Sequence, residues 1–216
     1  MLKNIFKISI LKTIWFNLHC FGINGFKMPV IVARKCKLRV KGKIVLNRIK
    51  TATVTIGFGG SDGVAENRYS FFSVERGAKI EFLGSAGISA GNTVRVDQGT
   101  LSIGNRFSTN KNCFIACSKG IVIGEDVTFG WNVNVRDNDG HKIIDNTSGV
   151  VSESQPVHIG NHVWVCSYSD ILKGVSIEAD SVVAYRSLVT KSFDESGILI
   201  GGAPAKIIKK NIGWEY

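Results

Sequence analysis

The sequence predicts an all-β chain wound into a parallel β-helix, and three observations lead to that fold. Between Ile159 and Phe193, every sixth position is a β-branched aliphatic residue: Ile159, Val165, Ile171, Ile177, Val183 and Val189. Four places after these come the small or short residues Val163, Ser169, Val175, Ser181 and Ser187. An α-helix repeats its apolar face near every 3.6 residues and a half-buried strand every two, so neither accommodates a period of six. A short strand and a tight corner, repeated, does accommodate it, with three such units closing a triangular coil. Glycine is abundant (24) and proline scarce (3), as a turn-rich stack of strands requires. Short β-branched runs also recur from residue 30 onward.

In chain order, residues 1–29 form an apolar and basic segment in which Lys3, Lys7 and Lys12 interrupt Ile, Leu, Phe and Trp. Those charges leave no 18-residue span for a transmembrane helix, and no small-residue cleavage site marks a signal peptide. A helix is expected here, in one of two roles. It either covers the open end of the stack or lies on a membrane surface. Residues 30–193 are the predicted coil. Early strands are read at Val30-Ile31-Val32, Leu38-Arg39-Val40, Ile44-Val45-Leu46 and Ala52 to Ile56. The stretch Gly57 to Gly63 is a loop; it lacks the frame of a phosphate-binding loop and no helix follows it.

From Ile80 the repeat sharpens through Ile88 and Val94, then Ile103, Thr109 and Ile115. A slip of two residues, expected at a bulged corner, precedes Ile123, Phe129 and Val135. Continuing in sixes would bury His141, Thr147 and Glu153 without partners. Residues near 137–156 must therefore leave the coil as a protruding loop, and a loop this long inside a strict repeat is expected to be functional. Residues 194–216 form a C-terminal extension.

Charge is unevenly distributed. The first 50 residues hold nine lysines, three arginines and no acid, whereas the rest carry a balance of −2. That asymmetry suits either a solvated basic flank or a surface for an anionic partner. No nucleic-acid-binding motif accompanies it, so nucleic acid is not an expected partner. Five cysteines without scaffold or zinc spacing point to reduced thiols and a cytoplasmic location. No metal site is expected.

The segments Ile159-Gly160-Asn161-His162-Val163-Trp164, Ile171-Leu172-Lys173-Gly174-Val175, Val189-Thr190-Lys191 and Gly202-Ala203-Pro204-Ala205-Lys206 resemble the bacterial hexapeptide-repeat acyltransferases. They are most similar to the O-acetyltransferases of surface polysaccharide synthesis. The likeness runs well from roughly residue 85 onward and more loosely over the first 60. It implies a left-handed parallel β-helix, a homotrimer, acetyl-CoA as donor, a sugar or polysaccharide acceptor and a histidine base. The implied setting is capsule or lipopolysaccharide synthesis on the cytoplasmic face of the inner membrane; the basic charge of residues 1–50 adds the separate expectation of peripheral contact with anionic lipid.

The protruding loop begins Asp137-Asn138-Asp139-Gly140-His141, which matches the family's approach to its catalytic histidine. An imidazole is suited to removing a hydroxyl proton near neutral pH, and Asp139 or Asp137 would orient it. The alternative is a surface histidine without a role. Trp164 matches a position implicated in the polysialic acid O-acetyltransferases, where it would hold acceptor or thioester; packing on the wall is its structural alternative. By the same resemblance Ser167, Tyr185, Thr190 and Lys191 would hold the pantetheine arm and its phosphates. Lys206 and Lys209 would meet the nucleotide end. The chain departs from the pattern where Cys166, Ala184 and Arg186 replace glycines and Tyr185 replaces a small residue. Cys166 is read as a small filler of a repeat position.

Three other readings remain. A sugar-amine N-acyltransferase would use the same fold and base. A γ-carbonic-anhydrase-like site would draw on His141, His158 and His162, although their spacing departs from that family's. A non-catalytic β-helix would account for the lost glycines.

Overall fold

The computed structural model describes residues 6–61 and 68–215. Lys3 of the opening segment, and Asp62 and Gly63 of the anticipated loop, lie outside the described residues. Strands of two to six residues are dealt in rotation onto three walls. The first wall stacks Val30–Val32, Val54–Ile56, Ala86–Ile88, Phe107–Thr109, Thr128–Phe129, Trp164–Val165 and Val182–Val183. The second stacks Cys36–Val40, Ser70–Val74, Thr93–Val96, Phe114–Cys117, Asn134–Arg136, Asp170–Ile171 and Leu188–Val189. The third runs from Lys43–Leu46 through Lys79–Phe82, Thr100–Ile103, Gly120–Ile123 and Val157–Ile159 to Ser176–Ile177. Pairing within these stacks is parallel. Only the closing hairpin, Ile198–Gly202 with Ala205–Lys210, is antiparallel among the described strands. The fold is a parallel β-helix of three walls with the hexapeptide repeat laid along them.

The six-residue period is visible as burial. Ile159, Val165, Ile171, Ile177, Val183 and Val189 are fully buried, and the short corner residues Ser169, Ser181 and Ser187 are buried with them. Ile159 pairs with Ile177, Val165 with Val183 and Ile171 with Val189, so a turn here is made of three sixes. Earlier turns are longer. Ile103 pairs with Ile123 and Val94 with Ile115, offsets that both exceed three sixes. Four-residue strands absorb the excess by pointing two side chains inward, as Val94 and Val96 or Leu101 and Ile103 do. The anticipated slip between Ile115 and Ile123 falls at the corner through Ser118 and Lys119.

The opening helix, α1, spans Ile10–Phe21 and runs into a 3-10 turn at Gly22–Lys27. It covers the open end of the coil, and it does so with polar side chains. Asn17 accepts from Val30 N–H at 3.0 Å and donates to Val30 C=O at 2.6 Å, while Thr13 Oγ1 accepts from Val32 N–H at 3.1 Å. Val30 and Val32 are the residues of the first strand whose backbone groups face away from the next strand. The helix therefore pairs an edge that would otherwise recruit another chain. Lys12 donates to Arg34 C=O and Cys36 C=O on the second wall, and Phe16 packs edge-on to Phe72 inside. Among the described residues no helix is long and apolar enough to cross a membrane. At the other end the C-terminal extension adds two strands to the first wall, and Phe193 is buried over the last turn.

Candidate active site

Residues 137–156 leave the coil at the corner between the second and third walls, where a six-residue period would have buried polar groups. Asp137 is the root of this arm. Its side chain is wholly buried and accepts from the N–H groups of Ser118 (2.8 and 3.0 Å), Lys119 (2.7 Å) and Gly120 (2.8 Å), and from Asn138 Nδ2 (3.0 Å). These are the N–H groups of the corner one turn earlier, which a strand ladder cannot use. The root closes where Gln155 N–H donates to Asp137 C=O at 2.9 Å.

Further out the arm folds on itself. Ile144 bridges Val151, Ser152 N–H donates to Ile143 C=O at 2.8 Å, and Asp145 accepts from Thr147 and Ser148 N–H at 2.8 Å each. A second tie joins the arm to the following turn. Asp139 accepts from Ser152 Oγ at 2.8 Å and forms an ion pair with Lys173, which also reaches Ser152. The hydrogen bonds from Lys173 and then Ser152 hold the Asp139 carboxyl below the usual carboxylate range.

His141 lies just beyond the second tie, exposed, on the rim of a hollow of 810 Å³ lined also by Asp97, Gln98, Ser118, Lys119 and Glu153. Gly140, at φ +79°, makes the turn that presents it. Among the described residues no side chain bonds to the imidazole. Asp137 and Asp139, the two anticipated orienting groups, are instead engaged in holding the arm.

The structure does not bring the other anticipated residues to this hollow. Trp164 projects half-exposed from the outer face of the first wall, the side of the prism opposite the corner that carries the arm. Ser167 is buried at the corner between the first and second walls, where its Oγ accepts from Trp131 N–H at 2.9 Å. Tyr185 stands exposed at the same corner with Tyr168 edge-on at 5.6 Å, and the Arg186 guanidinium lies 5.7 Å from each ring. Thr190 and Lys191 are exposed at the next corner, after Leu188–Val189. Lys206 and Lys209 are exposed on the final strand. The anticipated donor residues thus form separate groups within one chain.

The Cys166 thiol is pushed up to about 11 by burial, so it is protonated at neutral pH and suited to filling space. His158 points outward from the third wall. Among the described residues no three His, Cys, Asp or Glu side chains gather as a metal site would need.

One constellation was not anticipated. Arg106, Asp126, His162 and Asp180 occupy the same left-handed corner on successive turns, with φ between 53 and 59°. Arg106 pairs with Asp126, and His162 Nδ1 lies 2.8 Å from Asp180. Trp214 stacks on the His162 ring at 4.4 Å and donates its indole N–H to His162 C=O at 2.9 Å. His162 and Asp180 are separated by one turn of three sixes, and that offset was the signal in the sequence.

No protein-family model matches the chain. It is similar to the galactoside O-acetyltransferase of Escherichia coli K12, with 31% identity over 111 residues, 51% of this chain and 54% of that one. It is also similar to a polysialic acid O-acetyltransferase of Escherichia coli O1:K1, with 34% identity over 126 residues, 57% and 41% of the two chains. Among solved structures, the polysialic-acid-specific acetyltransferase NeuO aligns at 25% identity with a TM-score of 0.48, over 87% of this chain and 78% of that one. The chain spans about half the length of the curated relatives it matches.

Proposed function

We propose that this chain, a relative of the hexapeptide-repeat acetyltransferases, is an acetyl-CoA-dependent O-acetyltransferase acting on a sugar hydroxyl of a surface polysaccharide or its precursor. The observation that carries the proposal is His141, exposed beside a hollow on an arm fastened at two points. His141 removes the proton of the acceptor hydroxyl, the oxygen attacks the thioester carbonyl, and the coenzyme leaves as its thiol or thiolate. A general base so held contributes about 10²–10⁴-fold. Lys206 and Lys209, exposed and without a carboxylate partner among the described residues, suit the phosphates of the donor.

Two observations support a homotrimer as the working unit. Within one protomer His141 and Trp164 lie on opposite sides of the prism, and the anticipated donor residues are divided between corners. Packing the arm of one protomer against the first wall of the next would bring His141 and Lys191 of one chain toward Trp164, Lys206 and Lys209 of the other. The proposed location is the cytoplasmic side of the inner membrane, with the basic N-terminal stretch 1–50 drawn to anionic lipid.

The test is acetyl-CoA thioester consumption against a panel of glycans and amino sugars, wild type beside His141→Ala. The expected result is acetylation of a hydroxylated glycan that falls by about 10²–10⁴-fold in the variant. Equal turnover by the two proteins removes His141 from the mechanism. Acetylation confined to amino sugars would replace the O-acetyl reading with the N-acyl one.

A further inference from the structure

Helix α1 is apolar on its outer face as well as its inner one, unlike a helix that only packs on a protein. Its inward face carries Phe16, packed in the core with Cys20 and Phe21 partly buried beside it, and also Thr13 and Asn17, both buried and both spent on the open edge of the first strand. The stripe directly opposite is Leu11, Trp15 and Leu18, at i, i+4 and i+7, with Ile14 beside it, and all four are exposed, Leu11 to 83%. The apolar surface continues into Phe6 and Ile10 before it, and Ile23 and Phe26 in the turn that follows. A soluble helix turns its apolar stripe toward a core and its polar residues toward water. Here the two inward polar residues are explained by the strand edge; the His19 ring stacks on Trp15, and among the described residues the rest of the outward apolar stripe is left exposed. A contiguous apolar surface on this scale marks a contact with something apolar.

Its surroundings indicate what that is. Lys27, Lys35 and Lys50 are exposed near the helix and its following turn without a carboxylate partner among the described residues. No acid occurs before Asp62. Bulky apolar groups with a Trp on one face, ringed by lysines, are the composition of helices that lie in the interface of an anionic bilayer.

We infer that the outer face of α1 and the turn after it inserts into the surface of an anionic membrane. The inference rests on the proposed peripheral contact and deepens it, from attraction by charge to burial of Leu11, Trp15, Leu18 and Ile23 among lipid chains. Because α1 lies under the free edge of the first turn, the docked stack rises away from the bilayer. The arm with His141 leaves the second wall four strand spacings above its first strand, roughly 19 Å up. A tethered acceptor would then be met well clear of the lipid, at a sugar remote from its anchor.

The test uses the full chain with vesicles of phosphatidylcholine alone and of phosphatidylcholine mixed with phosphatidylglycerol, at low and high salt. Wild-type protein is expected to co-sediment with the anionic vesicles, and brominated lipid is expected to quench tryptophan emission that Trp15→Phe removes. Leu11→Glu, at a site the fold leaves in solvent, is expected to reduce partitioning by about tenfold or more. Its acetyl transfer to a water-soluble acceptor should be unchanged. Binding that survives Leu11→Glu and disappears in high salt is adsorption by charge alone; it overturns insertion and leaves the peripheral contact standing. Binding to neither vesicle overturns both. Self-association lost in Leu11→Glu, without vesicle binding, assigns the face to a second copy and also overturns the inference.

Discussion

From Ile159 to Val189 every sixth side chain is fully buried, and each stacks on its counterpart one turn away. From Asp137 to Pro156, just before, almost nothing is buried except Asp137 itself, and shape comes from a few polar ties. The difference is one of redundancy. A wall residue is one of many equivalent contacts in a continuous column, so a small loss at one turn is shared by its neighbours. The arm hangs on single residues, and each tie can be removed by one substitution.

The largest effect is expected at the root. Asp137→Ala removes the shared acceptor of the part-buried N–H groups of Ser118, Lys119 and Gly120, and each such group costs up to about 1–3 kcal/mol. A loss of about 2–4 kcal/mol in urea unfolding is expected. A loss below about 1 kcal/mol would mean that water or a shifted backbone replaces the carboxylate, and that the arm is not rooted there. The wall provides the contrast. Ile171→Val keeps the β-branched shape between Val135 and Val189 and removes one methylene, for which about 1 kcal/mol is expected in the same experiment. If the wall variant proved the more damaging, the contrast between shared and single supports would be lost.

The same difference decided what could be read from the sequence. The wall was legible because its period is mechanical: a turn of three sixes returns every inward position to the same place. Legibility fell in the earlier turns, where longer offsets put two inward side chains on one strand and blurred the phase around Val94 and Leu101. The arm's existence was legible, since His141, Thr147 and Glu153 had no place in a core. Its fastenings were not. Lys173 lies far along the chain from Asp139, and Asp137 reaches back to the N–H groups of Ser118, Lys119 and Gly120, none of which carries a side-chain signal. The buried face of α1 was hidden for a related reason. Thr13 and Asn17 face inward because they bond to a strand edge, whereas periodicity alone assigns the inner face to the apolar residues.

The smallest effect on stability, and the most informative about mechanism, is expected at the second tie. Asp139 is held below the usual carboxylate range by Lys173 and Ser152. A carboxyl depressed in the folded state contributes its stabilisation in full above the free-chain value of about 3.9 and loses it as pH falls through the lower folded value. The tie should therefore be constant from neutrality down to about pH 4 and release only below that. Being partly exposed, the pair is worth about 1 kcal/mol to the whole protein, so Asp139→Asn should unfold almost where the wild type does. Locally the variant should differ: the Ser152 amide bonded to Ile143 should exchange its hydrogen faster, measured beside wild type at one pH. Unchanged exchange would mean that Asp145 and the Ile144–Val151 bridge hold the outer part of the arm without the second tie. The pH profile of acetyl transfer then separates two roles for Asp139. A carboxylate that acted directly on the His141 ring would shift the profile when replaced by an amide. One that only fastens the arm would lower the rate and leave the profile where it was, and the bonds to Lys173 and Ser152 favour that second outcome.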